Sequence, residues 1–344
     1  MIAPLLCLLS GACTSSAEPP KPAMQRPAER PDDSGGDDPT HPTYGHLTTS
    51  DRVKDAVGHE AFAGFGRFIL PAERMYDDDS PLANVASMLP YHNYVTGERA
   101  VETLNRMIDY VHAGNRLFYD IYSDAEKRAD PRKNDTGLFF FRGEPGRPFA
   151  VVCPGGGWAY VGAIHEGFPL AIALSEMGYN AFSIQYRTGG AQVACEDLAA
   201  AIDFILRHAG ELQVSTEDYS LWGGSAGARM AAYLGSYATQ GFIEADNPRP
   251  AAVIMGYTGH TDYTRNDPPT YAVIGDSDGI ASASVMRQRV ENLKSLGIDA
   301  EFHLFPNLRH GFGLGIGTSA EGWEKEAVKF WEKYIAAGNE SESL

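Results

Sequence analysis

The stretch "YSLWGGSAGARMAAYLGSY", residues 219–237, sets Ser225 between Gly223 and Gly227, at the seam between a strand-like apolar run and a helix-like alanine-rich one. A serine hydroxyl is a weak nucleophile at neutral pH. It needs a base within hydrogen-bond reach and a third group to orient that base. The G-x-S-x-G spacing suits a sharp strand-to-helix elbow, in which the serine takes an unfavourable backbone conformation and its hydroxyl projects above a sheet. Side chains two positions to either side would collide there, which accounts for the glycines at 223 and 227. The plain alternative is a tight turn without chemistry.

Two acids share the loop "GDSDGI" after the apolar run "TYAVIG". Asp278, further past the strand end, is the candidate to orient a base, and Asp276 is expected to cap the turn. Of the ten histidines, His310 in "NLRHGFG" follows the last strand-like run and sits among glycines that let an imidazole reach across to the serine. His303 reads as a strand residue and His208 as lying near a helix C-terminus. His165 and His260 sit in loops near the proposed site, where each either touches substrate or plays a structural part. Acyl transfer also needs backbone donors aimed at a tetrahedral oxyanion. The segment Pro154-Gly155-Gly156-Gly157-Trp158 offers the amides of Gly156 and Gly157, joined by that of Ala226 just after the serine. Trp158 and His260 are the candidate substrate contacts.

These residues need elements to carry them. "PFAVVCPGGGW" is a buried-strand run stopped by glycines, and "GFPLAIALSEMGYNAFSIQYR" reads as helix, turn and strand. "CEDLAAAIDFILRHA" is an amphipathic helix leading to the serine. "AAVIMGYTGH" and "TYAVIGDSDG" are strands, "SASVMRQRVENLKSLG" a helix, and "DAEFHLFPNLRHGFG" a last strand and loop. A final helix is expected after Thr318, with Thr318 and Glu321 spaced as a capping box. "RLFYDIY" and "GLFFFRG" suit paired strands. Alternating strands and helices imply an α/β fold, with a mostly parallel central sheet and helices on both faces. Active sites in such sheets gather beyond the strand C-termini.

The chain has 344 residues and a formal net charge of −17, without a basic cluster, which argues against nucleic acid as a partner. Residues 1–13, "MIAPLLCLLSGAC", read as the apolar core and cleavage site of a secretory segment too short to span a bilayer, with Cys13 as the site lipidation would use. No positive charge precedes it. The expectation is an exported protein, periplasmic or attached to the cell envelope and membrane through Cys13. Residues 14–45, rich in Pro, Gly and charge, read as a linker. Residues 46–113 form a helical extension that could act as a cap, and 114–338 the catalytic domain. The acidic run "MYDDDSPL" reads as a solvated loop rather than a cation site. Cys153 and Cys195 are too few for a disulfide framework and lack zinc spacing.

With Ser225, Asp278 and His310 in that chain order, the region of residues 115–336 resembles an α/β-hydrolase of the esterase and lipase superfamily. "PGGGW" resembles the oxyanion loop of hormone-sensitive-lipase-like esterases, with Pro154 where those carry His. Together with "HEGFPLAIALSEMGYNAFSIQYR" it is closer to bacterial carbohydrate esterases of the acetyl-xylan-esterase type. The resemblance implies a Ser225–His310–Asp278 triad, no metal or other cofactor, and a short-chain ester, acetyl on a small molecule or carbohydrate, as substrate. A serine exopeptidase or amidase of the same fold and a non-catalytic binding protein are the two alternatives.

Overall fold

Five apolar runs, each only five or six residues long, carry no polar residue positioned to face water, and a strand of that kind is stable only when covered on both sides. In the computed structural model, which describes residues 44–71 and 76–336, they form the middle of an eight-stranded sheet. Its strands are β1 (Phe118–Tyr119), β2 (Gly137–Phe141), β3 (Phe149–Cys153), β4 (Asn180–Gln185), β5 (Ser220–Gly224), β6 (Ala252–Gly256), β7 (Thr270–Gly275) and β8 (Ala300–Phe305). They lie in the order β1-β2-β4-β3-β5-β6-β7-β8. From β4 across to β8 every pairing is parallel, and the β1–β2 and β2–β4 pairings are antiparallel. Every residue of β3 through β7 is buried, so both faces of the sheet are covered. The edge strand β8 is partly exposed along most of its length.

The helices are α1 (Val53–Val57), α2 (Gly97–His112), α3 (Asp124–Ala129), α4 (Phe168–Glu176), α5 (Ala191–Arg207), α6 (Ala209–Leu212), α7 (Ala226–Tyr237), α8 (Ala283–Ser295) and α9 (Trp323–Glu332). The chain leaves β3 through α4 to β4 on one side, then crosses by α5 to β5 on the other side of β3. Connections that depart in opposite directions from adjacent parallel strands open a crevice at their C-terminal ends. Here the strands are β3, which runs into the glycine loop, and β5, which runs into Ser225.

The described residues belong to one compact unit, and one apolar core runs from Leu47 to Trp331. Residues 46–113 contain one long helix, α2, whose Ala100, Val101, Leu104, Met107 and Ile108 are buried; Thr96 caps it by accepting from the Arg99 amide at 3.3 Å. The other described elements of that segment are α1 and short 3-10 turns. In the acidic run, Asp79 is ion-paired to Arg52 at 2.7 Å and Lys54 at 2.5 Å.

Two local expectations fail. Of "RLFYDIY" only Phe118 and Tyr119 pair as strand. The Thr318–Glu321 capping box does not form: the Thr318 hydroxyl donates to the Gly315 carbonyl at 2.5 Å, the Glu321 carboxylate accepts from the Gly317 amide at 2.9 Å, and α9 begins only at Trp323. Successive left-handed glycines at 311, 313, 315 and 317 coil this stretch into turns that consume both polar groups. The secretory segment with Cys13 and the linker, apart from its last two residues, lie outside the described residues. Among those residues, no helix is long and apolar enough to cross a membrane.

Candidate active site

β5 ends at Gly224 and α7 starts at Ala226, so the whole turn falls on Ser225, which has φ 53° and ψ −114°. An L-residue in that region costs about 1–3 kcal/mol and persists only where its surroundings hold it. The Ser225 amide donates to the Gly256 carbonyl of β6 at 2.9 Å, which is one such restraint. Trp158 and Tyr257, just past the ends of β3 and β6, also have positive φ, at 64° and 36°. Strained backbone thus gathers at the ends of three neighbouring strands.

The glycines flanking the serine answer to close approach. A Cβ on Gly223 would stand 2.4 Å from the Gly227 carbonyl carbon, and one on Gly227 only 1.8 Å from the Cys153 carbonyl oxygen at the end of β3. Gly227→Ala must therefore push α7 away from β3. An overpacking cost of about 3 kcal/mol, read by calorimetry as a Tm lower by roughly 5–10 °C, is expected. An unchanged Tm would remove this steric account.

Three loops converge over the elbow. The Ser225 Oγ lies 3.0 Å from His310 Nε2, and His310 Nδ1 lies 2.8 Å from Asp278 Oδ2. Both the imidazole and the Asp278 carboxylate are almost fully buried. Asp278 Oδ1 accepts from the amides of Ile280 and Ala281, each at 2.8 Å, which fixes the carboxylate and leaves Oδ2 for the imidazole. Asp276 is exposed and accepts from the Asn307 amide at 2.8 Å.

The glycine loop leans against the nucleophile: a Cβ on Gly155 would stand 3.1 Å from Ser225 Cβ. The Gly155 carbonyl accepts from the Gly162 amide at 2.8 Å and the Gly156 carbonyl from the Ala159 amide at 3.1 Å. In a trans peptide the N–H points opposite to its carbonyl. These two bonds therefore aim the amides of Gly156 and Gly157 away from the interior of the loop. Among the described residues, neither amide, nor that of Ala226 at the N-terminus of α7, donates to a protein acceptor. Three free donors, one at a helix N-terminus, suit a developing negative charge.

Trp158 is half-buried, with its ring against Tyr186 at 6.3 Å. His260 is buried edge-on to Tyr233; its Nε2 has no partner, and burial together with the Arg289 charge lowers its pKa to about 4, so it is neutral at pH 7. His165 is also kept neutral by burial, at about 4, and bonds to the Gly311 carbonyl at 3.1 Å. His303 lies on β8 beside Glu301, and His208 bonds to the Phe204 carbonyl. Cys153 and Cys195 are buried free thiols whose pKa burial pushes up. Among the described residues, no group of three or more His, Cys, Asp or Glu could hold a metal ion.

Sequence reasoning overlooked one set of residues around the site. The segment Tyr91–Tyr94 of the N-terminal extension is wedged between the glycine loop and the loop of His310. The Tyr91 amide donates to Tyr160 Oη at 3.1 Å, Asn93 Nδ2 to the His310 carbonyl at 2.7 Å, and the Arg309 amide to Tyr94 Oη at 2.9 Å. His92 lies 2.9 Å from Glu166 Oε1, and its other ring nitrogen 2.9 Å from Tyr160 Oη. Glu166 Oε1 also accepts from Tyr257 Oη at 2.8 Å, and Oε2 from the Gly155 amide at 2.5 Å. Burial would raise the Glu166 pKa, but His92 and the Gly155 amide outweigh it and hold the group down at about 2. The available signal was a lone acid between the apolar runs "YVGAI" and "GFPLAIAL".

A family model described as BD-FAE matches residues 142–266, which span the glycine loop and Ser225 and stop before Asp278. No curated protein matches the chain. Among solved structures, the chain is similar to an acetyl ester-xyloside bifunctional hydrolase from Caldicellulosiruptor lactoaceticus, at 19% identity and TM-score 0.55 over 63% of this chain and 95% of that one. It is similar to a propionate-bound thermophilic esterase from Thermogutta terrifontis, at 20% identity and TM-score 0.51 over 58% and 89%. It is also similar to a carboxylesterase from Lactobacillus plantarum, at 20% identity and TM-score 0.51 over 58% and 92%. The fold is that of the α/β-hydrolases, and the stretch similar to the BD-FAE model lies at its centre.

Proposed function

We propose that this α/β-hydrolase is a serine carboxylesterase that removes short acyl groups, of the acetyl type, from a carbohydrate or small alcohol. The reading is carried by the hydrogen-bonded line from Ser225 through His310 to Asp278, set beneath three unpartnered amides. His310 takes the Ser225 proton as Oγ attacks the ester carbonyl, and later returns it to the leaving alkoxide oxygen. Asp278 holds the imidazole with Nε2 toward the serine and offsets the charge it gains. The amides of Gly156, Gly157 and Ala226 receive the oxyanion. Water then attacks the acyl-enzyme with His310 again as base, regenerating Ser225 and releasing the acid.

The sugar preference rests on other features. Tyr91, 40% exposed, and half-buried Trp158 present aromatic faces beside Gly157, and such rings offer apolar area to the flat face of a pyranose. A net charge of −17 disfavours polyanionic substrates. The structural likeness to an acetyl ester-xyloside hydrolase points the same way.

A fluorophosphonate probe is expected to label Ser225, identified by peptide mass mapping, and acetylated xylosides to be turned over at least tenfold faster than peptide amides. Absence of labelling would refute the serine-hydrolase reading. Faster amide cleavage would move the enzyme to the peptidase class.

A further inference from the structure

A carboxylate without water is expensive unless every lone pair is used, and Glu166 uses its own on groups that border the reaction. Its side chain is 5% exposed and that of His92 1%. Room for it is made by glycines. A Cβ on Gly155 would stand 3.0 Å from Glu166 Oε2, and one on Gly224 2.8 Å from Oε2 and 2.6 Å from Tyr257 Oη. Gly224 immediately precedes the nucleophile, and Gly155 immediately precedes the first amide of the oxyanion loop. The carboxylate therefore sits directly beneath both.

We propose that Glu166, bonded to His92 of the N-terminal extension and to Tyr257, is the positioning residue that holds the glycine loop with its free amides aimed at the oxyanion. The inference rests on the esterase reading. The Gly155 amide is pinned downward by Glu166 Oε2 and the Gly155 carbonyl by the Gly162 amide, so the peptide planes before and after Gly155 are both fixed. Glycine peptides with positive φ on either side, at 139° for Gly156 and 64° for Gly157, would otherwise rotate at little cost. Tyr257 links the same carboxylate to the base, since its ring packs edge-on to His310 at 5.2 Å. Its hydroxyl, kept protonated by burial, can only donate to the carboxylate. Donors that are already oriented need no reorganisation when charge develops, and that orientation acts on the transition state rather than on substrate binding. Through His92 the extension becomes part of the catalytic apparatus rather than a cover over it.

Glu166→Gln keeps the volume but leaves one acceptor oxygen for donors that approach from two sides. With p-nitrophenyl acetate, kcat is expected to fall about 10²-fold, as for loss of one oxyanion donor, with KM within threefold of the wild type. Affinity for a trifluoromethyl ketone, which forms an oxyanion on Ser225, should fall by the same factor as kcat/KM. A purely structural role would leave the ketone's affinity tracking KM instead. Wild-type kcat and ketone affinity in folded Glu166→Gln would overturn the proposal, as would a loss confined to KM. Should that variant fail to fold, Tyr257→Phe decides: a parallel loss of kcat and ketone affinity of five- to tenfold supports the proposal, and none overturns it. An active, labelled wild type beside unaffected variants would sink this inference alone. A wild type that neither turns over esters nor labels would sink the esterase reading with it.

Discussion

Ser225→Ala is expected to fold normally and to lose ester turnover by roughly 10⁶-fold, the scale seen when a nucleophile that acts as part of a unit is removed. The fold should hold because the alanine keeps the Cβ and the strained φ of 53°, and the amide bond to Gly256 is a backbone bond that the substitution leaves in place. The rate should collapse because no other side chain lies where Oγ lies, 3.0 Å from the His310 imidazole. A residual rate above that in water is expected, since the amides of Gly156, Gly157 and Ala226 would still stabilise an oxyanion formed by direct water attack. Stopped-flow and overnight assays with p-nitrophenyl acetate cover that range. A variant within tenfold of wild type would remove Ser225 from the chemistry.

Asp278→Asn is expected to lower kcat about 10⁴-fold with little change in stability. The Ile280 and Ala281 amides hold Oδ1, so the asparagine oxygen takes that place and its NH₂ faces His310 Nδ1. That nitrogen must then accept, which puts the ring proton on Nε2, pointing at Ser225. The imidazole loses the lone pair with which it takes the serine proton. Asp276→Asn is the matched control. Asp276 is exposed and serves the Asn307 amide and the Ser277 hydroxyl, so its kcat should stay within twofold of wild type. A large loss at 276 and none at 278 would exchange the two roles.

Much of the architecture was written in short-range pattern. Apolar runs of five or six residues bounded by glycine or proline, such as "FAVVC" and "TYAVIG", are too short for buried helices and read as strands buried on both faces, and the amphipathic stretches between them suit helices that cover such a sheet. The chain between α2 and β2 was harder to read. β1 has two residues and depends on its antiparallel partner β2 for existence. The polar pair at 318 and 321 was drawn into glycine turns instead of a cap, because left-handed glycines at 315 and 317 bend the chain before a helix can start.

The order of the residues alone established a serine between obligatory glycines at a strand-to-helix seam, a triple glycine after an earlier strand, and an acid and a histidine after later ones. Those features depend on neighbours in sequence. Which carboxylate meets His310 and that His92 reaches Glu166 across the fold were decided only by tertiary structure. Each of these pairs residues far apart in the chain, and their distances follow from how the sheet brings the ends of β3, β5, β6 and β7 together rather than from any local preference.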